Sequence, residues 1–160
     1  MRYPTRASEW SIGAGYAVAV GAGTVSGHAG YGQQRFRIVD DDQPGDEQVP
    51  DVDYRWVRAA LDGAGPLSAR WSVEAGFGLR YLLDAGDLFG PAWFPRGTGT
   101  GLDADAGLRV RIGARLELFA RASVRHYFFG MNPAPGDARI VGGAVDTYLG
   151  GAVGAALAAF

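Results

Sequence analysis

Residues 69–81 read ARWSVEAGFGLRY, and this stretch decides the fold class. Apolar residues stand at every odd position from Ala69 to Tyr81, whereas the even positions between them hold Arg, Ser, Glu and Gly. Strict alternation of this kind is typical of a β-strand that has one apolar and one polar face. The stretch therefore predicts a strand whose two faces meet different surroundings.

Similar alternation recurs along the chain, in some segments cleanly and in others with interruptions. The seven predicted strands cover residues 10–20, about 28–39, about 54–62, 69–81, 102–112, 116–128 and about 145–160. In the three approximate segments the alternation slips, which indicates β-bulges. The last segment also fits a short helix, because Leu149, Val153 and Leu157 are four residues apart.

The connections between these segments alternate in length. Short ones are predicted at 21–27, 63–68 and 113–114, and long ones at 40–53, 85–101 and 131–143. Tight turns at one end and extended loops at the other are typical of outer-membrane β-barrels. We therefore expect an all-β, antiparallel, up-and-down transmembrane β-barrel formed by one domain over residues 1–160.

A soluble barrel or sandwich would also alternate, so the composition of the polar face has to distinguish the two. That face combines charges of both signs with Gly76, Gly78 and Gly107, which suits a narrow interior better than a solvated surface. The expected polar network of the interior comprises Arg70, Glu74, Arg80, Asp103, Asp105, Arg109, Arg111, Glu117, Arg121 and Arg125. On the apolar face, Trp71 and Tyr81 are ten residues apart. In a strand tilted by ~40°, this separation corresponds to a height of about 25 Å, which is the height of the apolar band between aromatic girdles.

The chain ends in Phe160, and Tyr148, Ala152, Ala156 and Ala158 precede it on alternate positions. This terminal segment resembles the last strand of bacterial outer-membrane proteins, although Ala replaces the larger apolar residues usual there. Taken over the whole chain, the pattern resembles a small OmpA/OmpX-like barrel domain of the porin-like superfamily. The resemblance implies a bacterial outer-membrane location, contact with lipid and lipopolysaccharide, and recognition of Phe160 by the barrel assembly machinery.

The number of strands conflicts with this resemblance. Bacterial barrels have an even number of strands, usually eight or more, whereas seven are visible here. If Phe160 ends at the periplasmic side, the loops place Trp10 at the outer end of its strand. We hypothesise that an N-terminal strand is missing from this chain or that two strands have been read as one.

Bulk composition excludes several classes of protein. No run of 18 or more apolar residues is present, which argues against a transmembrane helix. The net charge of −2 does not indicate a nucleic-acid-binding surface. The chain has no cysteine, which fits an oxidising compartment.

No motif predicts an enzyme, a cofactor site or a metal site. The glycines near Tyr16 lack the third small residue of a dinucleotide fingerprint. Segment 40–53 holds seven of the 17 acidic residues and no basic one, which predicts a solvated loop; the alternative is a divalent-cation bridge to lipopolysaccharide. His126 lies on the apolar face with no serine at a short downstream spacing, so we expect a structural role at the interface.

The segment 88–95 is unusually apolar for a loop. We expect it to fold back over the barrel mouth, to dip into the outer leaflet or to bind a partner, and Phe89, Trp93 and Phe94 make it the best candidate partner loop.

Four functions follow from these patterns. The leading hypothesis is a non-enzymatic barrel with a charge-filled interior that acts as a structural or surface-interaction module. The alternatives are porin-like transport of small solutes, a lipid-modifying enzyme and a soluble lipocalin-like barrel that binds a small apolar ligand.

Overall fold

A computed structural model describes residues 5–38, 51–137 and 139–157. This part of the chain forms one sheet of seven antiparallel strands, each paired with the next in sequence. The strands are β1 (Thr5–Val20), β2 (Gly23–Ile38), β3 (Val52–Pro66), β4 (Trp71–Gly86), β5 (Thr98–Ile112), β6 (Leu116–Gly130) and β7 (Gly143–Leu157). A short 3₁₀ turn at Asp87–Phe89 follows β4.

Alternation in the sequence becomes alternation in burial. Along β4, Trp71, Val73 and the later odd residues up to Leu83 are exposed, whereas Gly78, Arg80 and the other even residues up to Leu82 are buried or half-buried. The side chains of a strand point alternately to its two faces, so the polar and glycine positions share one face and the apolar positions share the other. The prediction that the two faces meet different surroundings is confirmed.

Tight turns and long connections lie at opposite ends of the sheet. The tight turns at 21–22, 67–70 and 113–115 join β1 to β2, β3 to β4 and β5 to β6. Gly21 and Gly113 adopt φ of 59° and 71°, a left-handed conformation that favours glycine. The predicted alternation of short and long connections is confirmed, and we call the two ends of the sheet the tight-turn end and the long-loop end.

All seven predicted strands exist, but most are longer than expected. Strands β1, β4 and β5 extend further toward the long-loop end, through residues whose alternation is poor. The last segment is a strand and not a helix. Among the described residues of the three segments expected to slip, register shifts appear in one, in the β3–β4 ladder between Val52 and Trp56.

The sheet curves strongly, because side chains meet across strands that are not neighbours. Arg125 on β6 contacts Glu9 on β1 at 3.0 Å, and Tyr54 on β3 donates a hydrogen bond to Asp146 on β7 at 3.1 Å. In a flat sheet, β1 and β6 would be ~24 Å apart, beyond the reach of these side chains. The polar face is therefore concave and the apolar face convex.

The expected closed barrel is not observed, because β1 and β7 do not pair with each other. With seven strands, both edges run from the long-loop end to the tight-turn end, so closure would require a parallel pair in an otherwise antiparallel sheet. Within the described residues each strand is single, so the hypothesis that two strands had been merged has no support.

The buried apolar core lies at the long-loop end of the concave face. It consists of Tyr54, Trp56, Leu82, Ala85, Phe94, Tyr127, Phe129 and Met131, which we call the aromatic plug. The rings of Tyr54 and Tyr127 pack at an interplanar angle of 54° with their centroids 4.9 Å apart, and Tyr127 is fully buried. Aromatic pairs in this geometry add to the energy of burial, so the aromatic plug stabilises this end of the curved sheet.

Candidate functional site

The candidate site is the network of charged side chains on the concave face. The structure places nine of the ten expected residues there: Glu74, Arg80, Asp103, Asp105, Arg109, Arg111, Glu117, Arg121 and Arg125. Arg70 lies instead in the tight turn before β4, where its carbonyl accepts a hydrogen bond from the Arg111 amide. The Ser68 hydroxyl accepts hydrogen bonds from the amides of Arg70 and Trp71, so the turn ends later than the alternation suggests.

Asp103 on β5 is the centre of the network. Its carboxylate accepts hydrogen bonds from Arg58 Nε and Arg80 Nε, each at 2.9 Å, and Arg58 Nη2 also donates to it. The Arg80 guanidinium lies 3.9 Å from the centroid of the Trp56 ring, which attracts the cation through its π face. All three charged side chains are largely buried, so each charge depends on its partners.

A second chain of contacts leads from Arg58 to the neighbouring strands. His28 on β2 lies between two charged groups, with Nδ1 2.8 Å from Asp62 and Nε2 facing Arg58 Nη1. Since Arg58 can only donate, the His28 ring accepts through Nε2 and carries its proton on Nδ1, which donates to Asp62. Both ring nitrogens are thus engaged by charged groups.

Glu9 joins the first strand to the far side of the sheet. It contacts Arg125 at 3.0 Å and lies 3.8 Å from Arg80, and Arg125 also donates to Gln34 at 2.6 Å. Following the paired residues from Arg125 across the sheet leads to Gly15 on β1, yet the observed partner is Glu9, six residues earlier. This stagger is the offset expected when strands tilt around a barrel axis.

The fourth group of charges lies nearer the tight-turn end. Glu74 accepts from Arg109 at 3.0 Å and from Arg121 at 3.1 Å, and Arg121 also lies 3.4 Å from Asp105. Arg111 and Glu117 pair at the end of β5 and β6, where both are more exposed.

Glycines on the concave face make room for these side chains. A Cβ at Gly78 would lie 2.7 Å from Arg58 Nε, and one at Gly76 would collide with the carboxylates of Asp62 and Asp105. At Gly107, a Cβ would lie 2.9 Å from Glu74 Oε1. A side chain on the neighbouring strand therefore crosses each of these glycines.

A cavity of about 650 Å³ lies on the concave face and reaches from the central charges, including Arg58 and Asp103, toward the tight-turn end. Its lining includes Thr24, Ser26, Asp62, Asp105, Ser123 and Gly150. The aromatic plug lies above it at the long-loop end. His28 is not placed to act as a base for the serine hydroxyls of the cavity, because its two ring nitrogens face Asp62 and Arg58.

Sequence reasoning missed Glu9, His28, Arg58 and Asp62. Glu9 precedes the residue at which the first strand was expected to begin, and Arg58 and Asp62 lie on a strand whose outward positions include Arg55, Ala59 and Gly63. Contrast between the faces is low there. The one available signal was that Arg58 and Asp62 are separated by an even number of residues and share a face.

The apolar loop folds back on the sheet. Phe94 is buried in the aromatic plug, and Phe89 packs edge-on against Phe129 at 6.3 Å. Trp93 is half-buried beneath Arg139, whose guanidinium lies 3.8 Å from the ring centroid.

The remaining expected features fall on the convex face or outside the described residues. His126 faces outward, 2.7 Å from the Thr147 hydroxyl and edge-on to Phe128. Phe160 and the acidic residues of 40–50 lie outside the described residues.

Within the part of the chain that the structure describes, no group of three or more histidine, cysteine or acidic side chains could hold a metal ion. The same residues include no helix long and apolar enough to cross a membrane. No protein-family model, curated protein sequence or solved structure matches the chain.

Proposed function

We propose that this chain is an integral β-sheet domain of the bacterial outer membrane, of barrel type, that acts as a structural or surface-interaction module. The observation that carries the proposal is the inside-out distribution of its side chains. Ion pairs line the concave face, whereas the convex face of every described strand carries exposed apolar side chains. A bilayer is the solvent that favours this arrangement.

The convex face is apolar along whole rows of paired residues. One row runs across all seven strands and contains Tyr16, Gly27, Leu61, Phe77, Ala104, Val124 and Leu149. A second, nearer the long-loop end, contains Ile12, Tyr31, Val57, Tyr81, Thr100, Phe128 and Val145. Soluble monomers rarely expose contiguous apolar areas on this scale.

Charged residues border this apolar band at the long-loop end. Arg35 and Arg55 contact Asp53, and Arg55 also lies 3.6 Å from Asp84. These exposed side chains follow the apolar rows on the same outward face. Mixed charges at that height suit lipid headgroups, which supports lipid and lipopolysaccharide as the proposed partners.

The alternatives receive less support from the same geometry. A lipocalin-like carrier needs apolar side chains in its interior, yet Val73, Leu108 and Leu118 face outward. A porin needs a water path, yet the aromatic plug and the central ion pairs occupy the concave face.

Two leucines of nearly equal exposure provide a matched test. Leu61 lies in the middle of the apolar face and is 65% exposed, whereas Leu67 lies in a tight turn and is 64% exposed. In water, arginine would be tolerated equally well at both. In a bilayer, we expect Leu61→Arg to destabilise the fold by about 2–4 kcal/mol and Leu67→Arg by about 0–1 kcal/mol.

The measurement is urea-induced unfolding of the wild-type chain and both variants from lipid vesicles, together with gel migration of unheated samples. The proposal also requires that the wild-type chain refold with detergent or lipid and not in buffer alone. A monomer that refolds in buffer, with both variants equally stable, would contradict it.

A further inference from the structure

Within the described residues, the two edge strands of the curved sheet pair with no strand along their outer edges. Strands β1 and β7 each have one hydrogen-bonded neighbour, β2 and β6 respectively. Both contribute side chains to one concave face, since Glu9 on β1 and Asp146 on β7 contact residues on the opposite side of it. We call the space between the two edges the seam.

The most exposed outward side chains of the sheet lie on the edge strands β7 and β1. Leu149 and Val153 on β7 are 83% and 84% exposed, whereas Leu118 and Val73 on interior strands are 40% and 37% exposed. Outward side chains on the interior strands reach 55% at Leu79 and Tyr81 and 65% at Leu61, whose paired residue on β2 is Gly27. The residues of β7 therefore lack the lateral neighbour that interior residues have.

Strand direction determines what can fill the seam. Both edges run from the long-loop end to the tight-turn end, so one strand running the opposite way would be antiparallel to both. Antiparallel pairs are more stable than parallel ones, and all the described ladders of this sheet are antiparallel. A second copy in the same bilayer orientation would offer only edges that run parallel to these, and this step rests on the proposed membrane insertion.

We infer that the seam is an acceptor site for one further β-strand, an extended peptide segment that runs from the tight-turn end to the long-loop end between β1 and β7. Its length matches the 15-residue β7, its outward side chains are apolar and its inward side chains are small or polar. Its backbone would satisfy the unpaired N–H and C=O groups of both edges, as in recognition by strand addition. The completed sheet would have eight strands and no free edge.

The test uses a synthetic 15-residue peptide that alternates Leu or Val with Ser, Thr or Gly. Hydrogen exchange of the β1 and β7 amides is followed by NMR, in detergent micelles or in buffer, whichever folds the chain. This choice keeps the test independent of the proposed function. The control peptide has proline at three central positions, which removes backbone donors without removing the apolar content.

We expect fast exchange at the edge amides of the free chain and exchange slowed by about tenfold or more with one equivalent of the alternating peptide. The proline peptide should have no such effect. In a second arm, the same peptide is joined ahead of residue 1 by a short Gly/Ser linker, which raises its effective concentration to about the millimolar range.

Three results would overturn the inference. Edge amides protected in the free, dilute chain would mean that β1 and β7 close directly. Protection that rises with protein concentration, together with a dimer mass, would assign the seam to a second copy. Edges that still exchange fast with the tethered peptide would mean that the seam accepts no strand.

Discussion

Asp103 shows how one carboxylate holds two buried cations in place. It accepts hydrogen bonds from Arg58 and Arg80, which approach from β3 and β4. Without it, two guanidinium groups would share a largely buried space with less negative charge to compensate them. Such residues matter more through the cost of leaving their partners unpaired than through the net energy of the pair.

We therefore expect Asp103→Asn to destabilise the fold by about 3–5 kcal/mol. The control is Glu117→Gln, which removes the carboxylate of the exposed pair with Arg111 and should cost about 0–1 kcal/mol. The free energies of unfolding of the two variants and the wild-type chain are compared by urea-induced unfolding in one detergent. Equal losses would show that the central network is no more important to stability than a surface pair.

At the scale of the elements, the long connection after β4 and the one after β6 are joined by hydrogen bonds among Arg96, Asn132 and Asp137, which we call the polar clasp. Arg96 Nε donates to the Asn132 carbonyl at 3.1 Å, and Asn132 Nδ2 donates to the Arg96 carbonyl at 3.0 Å. Asp137 accepts from the Ala134 amide at 2.7 Å and contacts Arg96. The Ala134 amide and then the Arg96 guanidinium lower the pKa of Asp137 below its ordinary value of 3.8.

A pKa that is lower in the folded chain means that the carboxylate form stabilises the clasp. Its contribution is complete above the ordinary pKa of 3.8 and is lost as pH falls through the lowered pKa. We expect the side-chain amide of Asn132, the chain's single asparagine, to exchange faster with solvent as pH falls from about 5 to about 2, after correction for intrinsic exchange.

NMR of protein labelled selectively at asparagine follows that one amide. Asp137→Ala is the control, because it has no carboxylate to ionise, adds no second asparagine and should remove the acid-dependent step. A step of the same size in this variant would assign the change to other carboxylates.

At the level of elements, the sequence predicted the strands best where their two faces differ most. Strands β4, β5 and β6 alternate large apolar residues with charges or glycine, so their existence and facing could be predicted. In β2 and β7 both faces contain glycine or alanine, and the pattern has little contrast. The partners within the site were less predictable, because the contact of Glu9 with Arg125 depends on the curvature and stagger of the whole sheet.

At the scale of the whole molecule, three tryptophans lie on the two faces of the sheet, so their fluorescence can test the proposed contact of the convex face with lipid. Trp10 and Trp71 face outward, toward the long-loop end and the tight-turn end of the apolar band respectively. Trp56 is only 2% exposed and lies on the concave face under Arg80. If hydrocarbon surrounds the convex face, Trp10 and Trp71 contact lipid and Trp56 does not. In a soluble β-sheet protein with the same fold, Trp10 and Trp71 would contact water instead.

The last prediction uses single-tryptophan variants in which the other three tryptophans are replaced by phenylalanine. In vesicles whose acyl chains carry bromine, a contact quencher, we expect Trp10 and Trp71 to lose most of their fluorescence and Trp56 to lose little, because only the first two touch hydrocarbon. Acrylamide in the water phase should quench Trp10 and Trp71 weakly for the same reason. Strong quenching of both by acrylamide, with none by brominated lipid, would mean that the convex face is solvated, and the apolar rows across all seven strands would then need a protein partner to cover them.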